Sequence, residues 1–364
     1  MKLKISLLMG LLVFGVNASA NKIERGFQVI DPDQRILKEF SHDPEVVIDH
    51  VNKLGFEIYG LATLESVLKL RGAQFALIKP VALKLSNDYT TPEGTIKKLE
   101  SLQKKYPDLI SLIEIGKSVE GRSLMFVKVT APAKAGVMEP KTRPEFKYIA
   151  NMHGDEIVGR ELMVKLIEDL AKNYGKDNRL TKILDSVQVY IMPSMNPDGA
   201  MKRVRENSHG VDLNRSFPDF TTSDNQNVPD NREPEIQAMM KFQAQHHFVL
   251  SANFHGGAEV VNYPYDGIPD LFPLDNLVKN ISLDYSRRIP YMWNSTDFEK
   301  GITNGYAWYE VKGGMQDWSY HWHGDLQLTI ELTKTKWPQF STVDQSYQLN
   351  RESLIGYIEE IAHL

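Results

Sequence analysis

Four nearly unbroken apolar runs, EFKYIAN (145–151), VQVYIMP (187–193), FVLSANF (248–254) and LQLTIEL (326–332), set the strongest limit on how this chain can fold. A strand wetted on one side alternates polar and apolar residues, whereas a run apolar at nearly every position must be covered on both faces. Helical patterns separate the runs; in the segment 161–174, Leu162, Leu166 and Leu170 fall on one stripe. This order predicts an α/β fold, a doubly wound, mixed and mostly parallel sheet flanked by helices. Such sheets bind ligands beyond the carboxyl ends of their strands. Three of the four runs end there in a metal-competent or acid-base group: His153 and Glu156 after the first, His255 after the third, Glu331 inside the end of the fourth. The second leads into the turn PSMNPDG.

The His153-x-x-Glu156 spacing is expected to put imidazole and carboxylate on one face of a first helical turn, with Gly154 letting the backbone swing off the strand. Alone this spacing is weak: His42 and Glu45 in SHDPEVV share it, where Asp43 and Pro44 read as a helix start. His255, in NFHGG, adds a third donor. Two histidines and one glutamate with a fourth position open form the donor set of a hydrolytic zinc site. Satisfied polar groups without a metal are the plainer reading of the same three residues.

At 364 residues the chain can hold one large domain and a small one. A net charge of −5 offers no polybasic field, which disfavours nucleic acid and anionic membranes as partners. The first twenty residues, MKLKISLLMGLLVFGVNASA, combine Lys2 and Lys4, an apolar core and an A-x-A ending, and read as a secretory signal cut after Ala20. The apolar core is too short for a membrane anchor, so a secreted or periplasmic protein, not inserted in a membrane after cleavage, is expected. The absence of cysteine excludes disulfides. Residues 21–85 read as a small α/β appendage in which PEVVIDHVNKLG and ATLESVLKLRG are helices closed by Gly55 and Gly72, each followed by a strand. The boundary with a domain spanning 86–364 is placed near Ser86.

The ordered segments NMHGDE, NPDG, GVDLNRSFPD, NFHGGAEVVNYPYD, WYEVKGGMQDW and TIEL resemble the zinc metallocarboxypeptidases, most closely the regulatory branch that includes carboxypeptidases D, E, M and N. The resemblance covers about three quarters of the chain. It implies one zinc ion held by His153, Glu156 and His255, Arg205 polarising the scissile carbonyl, and Asn214 with Arg215 gripping the substrate's terminal carboxylate. It further implies Tyr309 as the tyrosine that closes over the substrate and Glu331 as the catalytic glutamate. Asp212 is expected to orient a zinc histidine, with a turn cap as its alternative role. The branch lines its pocket for a basic C-terminal residue with an acid and a glutamine, which fall here at Asp266 and Gln316; a turn cap is the alternative for Asp266. The branch also carries an all-β domain after the catalytic one, whereas this sequence runs to Leu364 in LIGYIEEIAHL, which reads as an amphipathic helix.

The chain is therefore expected to be a zinc exopeptidase acting on peptide or protein C-termini, preferring Lys or Arg. A cell-wall peptide-trimming peptidase and a non-catalytic binding protein on the same fold are the alternatives.

Overall fold

The computed structural model describes residues 23–41, 43, 45–79 and 89–364. The signal sequence, His42 and the boundary near Ser86 lie outside the described residues.

The first unit contains β1 (Arg25–Ile30), α1 (Arg35–Phe40), β2 (Val47–Asn52), β3 (Gly55–Gly60), α2 (Leu64–Leu70) and β4 (Gln74–Leu77). Its antiparallel sheet has the order β2-β3-β1-β4. Phe27, Val29, Phe56, Ile58, Leu64 and Leu68 form its core. The second expected helix of this unit is present as α2. The first is not: PEVVIDHVNKLG contributes β2 and the turn into β3. Val46, Val47, Ile48 and Val51 are β-branched, which favours extended backbone, and the chain can pair β2 with β3 across a two-residue connection.

The second unit begins with α3 (Pro92–Lys105), whose start is set by Thr91: its hydroxyl accepts from the Gly94 N–H, with Pro92 in the first turn. There follow β5 (Ile110–Lys117), β6 (Ser123–Val129), β7 (Glu145–Ala150), α4 (Val158–Asn173), α5 (Asn178–Ser186), β8 (Gln188–Met192), α6 (Pro197–Lys202) and α7 (Pro234–Gln243). Then come β9 (Phe248–His255), β10 (Val260–Tyr263), α8 (Asp275–Arg287), α9 (Pro290–Trp293), β11 (Ile302–Asn304), α10 (Gly305–Trp308), α11 (Met315–His323), β12 (Leu326–Glu331) and α12 (Val343–Glu359). Eight strands form one sheet in the order β11-β10-β12-β9-β7-β8-β6-β5. The four apolar runs are its parallel centre, β12-β9-β7-β8, with antiparallel neighbours β10 and β6.

Helices cover both faces of that centre. Leu162, Leu166 and Leu170 of α4 are fully buried, each contributing on the order of 1.5–3 kcal/mol. Lys147 of β7 is fully buried and is neutralised by Asp325 at 2.8 Å, with Gln243 accepting at 2.5 Å. Parallel pairing aligns Glu331 with His255, and the end of β7 lies alongside β9. The sheet register alone thus delivers the candidate residues to one rim.

Candidate metal centre and active site

Just past β7, Asn151 takes a left-handed turn (φ 55), and its side-chain amide donates to the carbonyls of His153 (2.8 Å), Gly154 (3.2 Å) and Glu156 (3.3 Å). This clamp holds residues 153–156 as a loop; α4 begins only at Val158, so the pair is not on a first helical turn as the spacing suggested. Gly154 serves close packing and not the turn: a Cβ there would lie 2.1 Å from the carbonyl carbon of Gly199.

The loop and β9 bring three donors together. His153 Nδ1 is 2.9 Å from Glu156 Oε1, His255 Nδ1 is 2.8 Å from Glu156 Oε2, and the two ring nitrogens are 3.1 Å apart. All three side chains are buried. Bonds of roughly 2.0–2.2 Å around a tetrahedral ion would separate its donors by about 3.4 Å, so the set fits a single cation. The other nitrogen of His153 meets Asp212 Oδ1 at 3.1 Å, the kind of acid contact that fixes the ring of a metal-binding histidine. Burial opposes charge on Glu156, yet both histidines hold it well below the usual carboxylate range. Burial and Arg205 oppose charge on His153, but Glu156 and Asp212 push it up to about 9.

Asp212 also touches groups beyond His153. Besides His153 it accepts from Arg205 Nε at 2.9 Å and from the Asn214 backbone N–H at 2.8 Å, capping the short turn Leu213–Arg215. Arg205 is buried; its Nη1 lies 3.1 Å from His153 Nδ1, and its Nη2 has no partner among the described residues. Beside His255, Glu331 is buried with Oε2 likewise unpartnered, and burial followed by the charge of Glu156 pushes it up to about 8. An acid that readily holds a proton therefore stands next to the donor cluster.

A second cluster of buried polar groups lies past β10. Asp266 is buried, and its Oδ1 accepts from Gln316 Nε2 (2.8 Å) and Asn262 Nδ2 (3.1 Å). Gln316 Oε1 and Asn262 Oδ1 remain buried acceptors without donors. Asp317 accepts from the backbone N–H groups of Asp266 and Gly267, fixing the loop. A Cβ at Gly305 would sit 1.7 Å from Asp266 Oδ1, so only glycine fits there. The backbone of this turn is thus held by the Asp317 carboxylate. Asn262, Gly305 and Asp317 escaped the sequence reading, although Asn262 and Asp317 sit in the quoted segments NYPYD and GGMQDW.

Arg205, Arg215 and Tyr309 meet the N-terminal unit. Arg215 Nη2 donates to the Ile48 carbonyl (2.9 Å), the Tyr309 hydroxyl donates to Asp49 Oδ1 (2.8 Å), and Arg205 Nη1 pairs with Asp49 Oδ2. Asn214 Oδ1 accepts from Met315 N at 3.0 Å.

Two histidines and a glutamate on the rim of a mixed sheet, beside an unpaired acid, are the donor arrangement of a mononuclear metallohydrolase. Comparison with known proteins narrows that class. The zinc carboxypeptidase family pattern matches residues 95–358, and the chain belongs to this family of one-zinc hydrolases. It is 40% identical to carboxypeptidase M of Mus musculus over 312 residues, covering 78% of this chain and 68% of that protein. It is 41% identical to carboxypeptidase D of Rattus norvegicus over 287 residues, 72% of this chain but 20% of that one. To the carboxypeptidase N catalytic chain of Homo sapiens it is 34% identical over 331 residues, 79% and 71% of the two chains. These relatives belong to the regulatory branch. In fold the chain is similar to carboxypeptidase A of Helicoverpa armigera (TM-score 0.70, 19% identity, 91% of this chain and 96% of that). It is also similar to thrombin activatable fibrinolysis inhibitor (TM-score 0.69, 18% identity, 93% and 98%).

Proposed function

We propose that His153, Glu156 and His255 hold the zinc ion and that the chain removes the last residue of peptides or proteins, with preference for Lys or Arg. The observation carrying the reading is the 2.8–3.1 Å convergence of those three donors beside an unpaired Glu331. Zinc, when bound, supplies Lewis acidity to a carbonyl and acidifies a water. The protein's own groups supply the rest. Glu331 takes a proton from the attacking water and hands it to the departing amine, a transfer suited to an acid whose pKa is raised towards the working pH. Arg205 Nη2 donates to the developing oxyanion. Arg215, with the Asn214 amide, fixes the terminal carboxylate through its planar fork, and Tyr309 closes over the substrate.

Basic specificity is supported by the buried polar cluster around Asp266. Asp266 provides a carboxylate, and Gln316 Oε1 and Asn262 Oδ1 are acceptors awaiting donors, which a guanidinium or ammonium supplies and an aliphatic side chain cannot. Export rests on the first twenty residues; among the described residues no helix is long and apolar enough to cross a membrane.

The test pairs metal analysis with turnover. One zinc per chain, lost in His255→Ala, and chelator-sensitive release of arginine in preference to leucine from blocked dipeptides are expected. Absence of metal, or chelator-insensitive release, would refute the assignment, and a leucine preference would remove Asp266 from its role.

A further inference from the structure

The turn that carries Asp266 and the stretch that carries Tyr309 are joined carbonyl by carbonyl. Asn304 Nδ2 donates to the Pro264 carbonyl at 3.2 Å. The Tyr306 N–H reaches the Tyr265 carbonyl at 2.8 Å, and the Val311 N–H reaches that of Asp266 at 3.0 Å. Lys312 Nζ completes the series on the Gly267 carbonyl at 2.5 Å. Four successive carbonyls, 264–267, thus take their donors from one short stretch, 304–312, and Tyr309 lies inside it.

Lys312 is where this stretch meets a third element. Its ammonium carries three N–H donors, and besides the Gly267 carbonyl it has Thr221 Oγ1 at 2.8 Å and Glu310 Oε1 at 2.9 Å. Thr221 Oγ1 in turn donates to Asp219 Oδ1 at 2.6 Å, and Asp219 Oδ2 accepts from the Gly313 N–H at 2.9 Å. The Phe217 N–H, just beyond Arg215, donates to the Gly313 carbonyl at 3.0 Å. One partly exposed lysine therefore ties together the Asp266 turn, the loop after Arg215 and the Tyr309 stretch. At the other end of the stretch, a Cβ on Gly305 would lie 1.7 Å from Asp266 Oδ1, so the backbone there rests against the carboxylate itself. A cation drawn onto Asp266 acts on the stretch at Gly305. With the far end pinned by Lys312, the displacement falls on the residues between, Tyr309 among them.

We propose that Lys312 is a positioning residue through which the Asp266 site sets the reach of Tyr309, so that Tyr309 grips a substrate ending in a basic side chain more firmly than one ending in an aliphatic side chain. The inference rests on the peptidase reading for what Tyr309 grips. Lys312 touches no substrate; it acts through Tyr309, and on binding, not on bond breaking. Its loss raises KM and spares kcat.

The experiment uses the full-length zinc-loaded chain, Lys312→Met, which keeps the aliphatic stem and discards the donors, Lys312→Arg, Tyr309→Phe and the Lys312→Met/Tyr309→Phe double variant. KM and kcat are measured for blocked dipeptides ending in arginine and in leucine. Lys312→Met is expected to raise KM for the arginine substrate about five- to tenfold, with KM for leucine and both kcat values held within about twofold. Lys312→Arg, whose fork can reach the same oxygens, should stay within about threefold of the wild type. In the Tyr309→Phe background the Lys312→Met effect should shrink to less than about twofold, because the two residues act as a unit. A lysine that merely holds the loops together would weaken both substrates alike, or act in full without the Tyr309 hydroxyl. Either of those results, or an unchanged KM in Lys312→Met, overturns the role of Lys312 and leaves the peptidase reading standing if the wild type releases arginine. No arginine release by the wild type removes the peptidase reading and this inference with it.

Discussion

Replacing Asp266 with asparagine isolates the charge in the proposed specificity site. The substitution preserves volume, which matters beneath Gly305, and retains the oxygen that accepts from Gln316 and Asn262. At about 4 Å and an effective dielectric near 20, a guanidinium–carboxylate attraction is roughly 4 kcal/mol. Desolvation of both partners returns part of it, leaving about 2–3 kcal/mol for a buried charged hydrogen bond, or roughly 30- to 140-fold. The assay is the ratio of kcat/KM for blocked dipeptides ending in arginine and in leucine. Because both substrates meet the same enzyme, the ratio is independent of the titration of Glu331. Burial and the neighbouring Asp317 hold the Asp266 pKa well above the usual carboxylate range. Below that raised pKa the acid keeps its proton and must shed it to receive a cation. The wild-type arginine preference should therefore climb with pH and level off once the pKa is passed, whereas the asparagine variant should show a low, flat ratio. An arginine-to-leucine ratio unchanged within about twofold, or an equally steep pH rise in the variant, would refute the reasoning.

Three further outcomes are expected. Glu331→Gln should keep its zinc and lose on the order of 10²- to 10⁴-fold in kcat, checked by metal analysis beside turnover. Asp212→Ala removes the acceptor at 3.1 Å from His153 and should weaken zinc binding by about 10- to 100-fold, measured by competition with a chelator. Lys147→Met strands Asp325 in the core and should cost about 3–5 kcal/mol in denaturant unfolding, with Lys147→Met/Asp325→Leu recovering most of it.

The sheet's parallel centre was legible because burial on both faces leaves little choice of residue, and the four runs carry that constraint openly. The rim residues followed from it: a chain that must reverse at a strand's carboxyl end shows its polar groups there, as His153, Glu156, His255 and Glu331 do. Local geometry was less legible. The clamp by Asn151, not a helical turn, sets the spacing of His153 and Glu156, and a clamp leaves no period in the sequence. The placement of β2 was invisible for a different reason. VVIDHVN fits either a helical or an extended pattern, and the partners of Asp49 are 156 and 260 residues away. Asp266 and Gln316 were reached through family resemblance, but nothing in a sequence shows that Gly305 faces Asp266 at a distance no methyl group could occupy.

The proposed zinc donors stand on a clamped loop and a central parallel strand, whereas the proposed specificity site is assembled from β10, the turn held by Asp317 and the first residues of α10 and α11. Bond breaking and taste are thereby built on separate supports. On that reading, a few substitutions around Asp266 could change the preferred residue while leaving the loop and strand beneath the metal donors untouched.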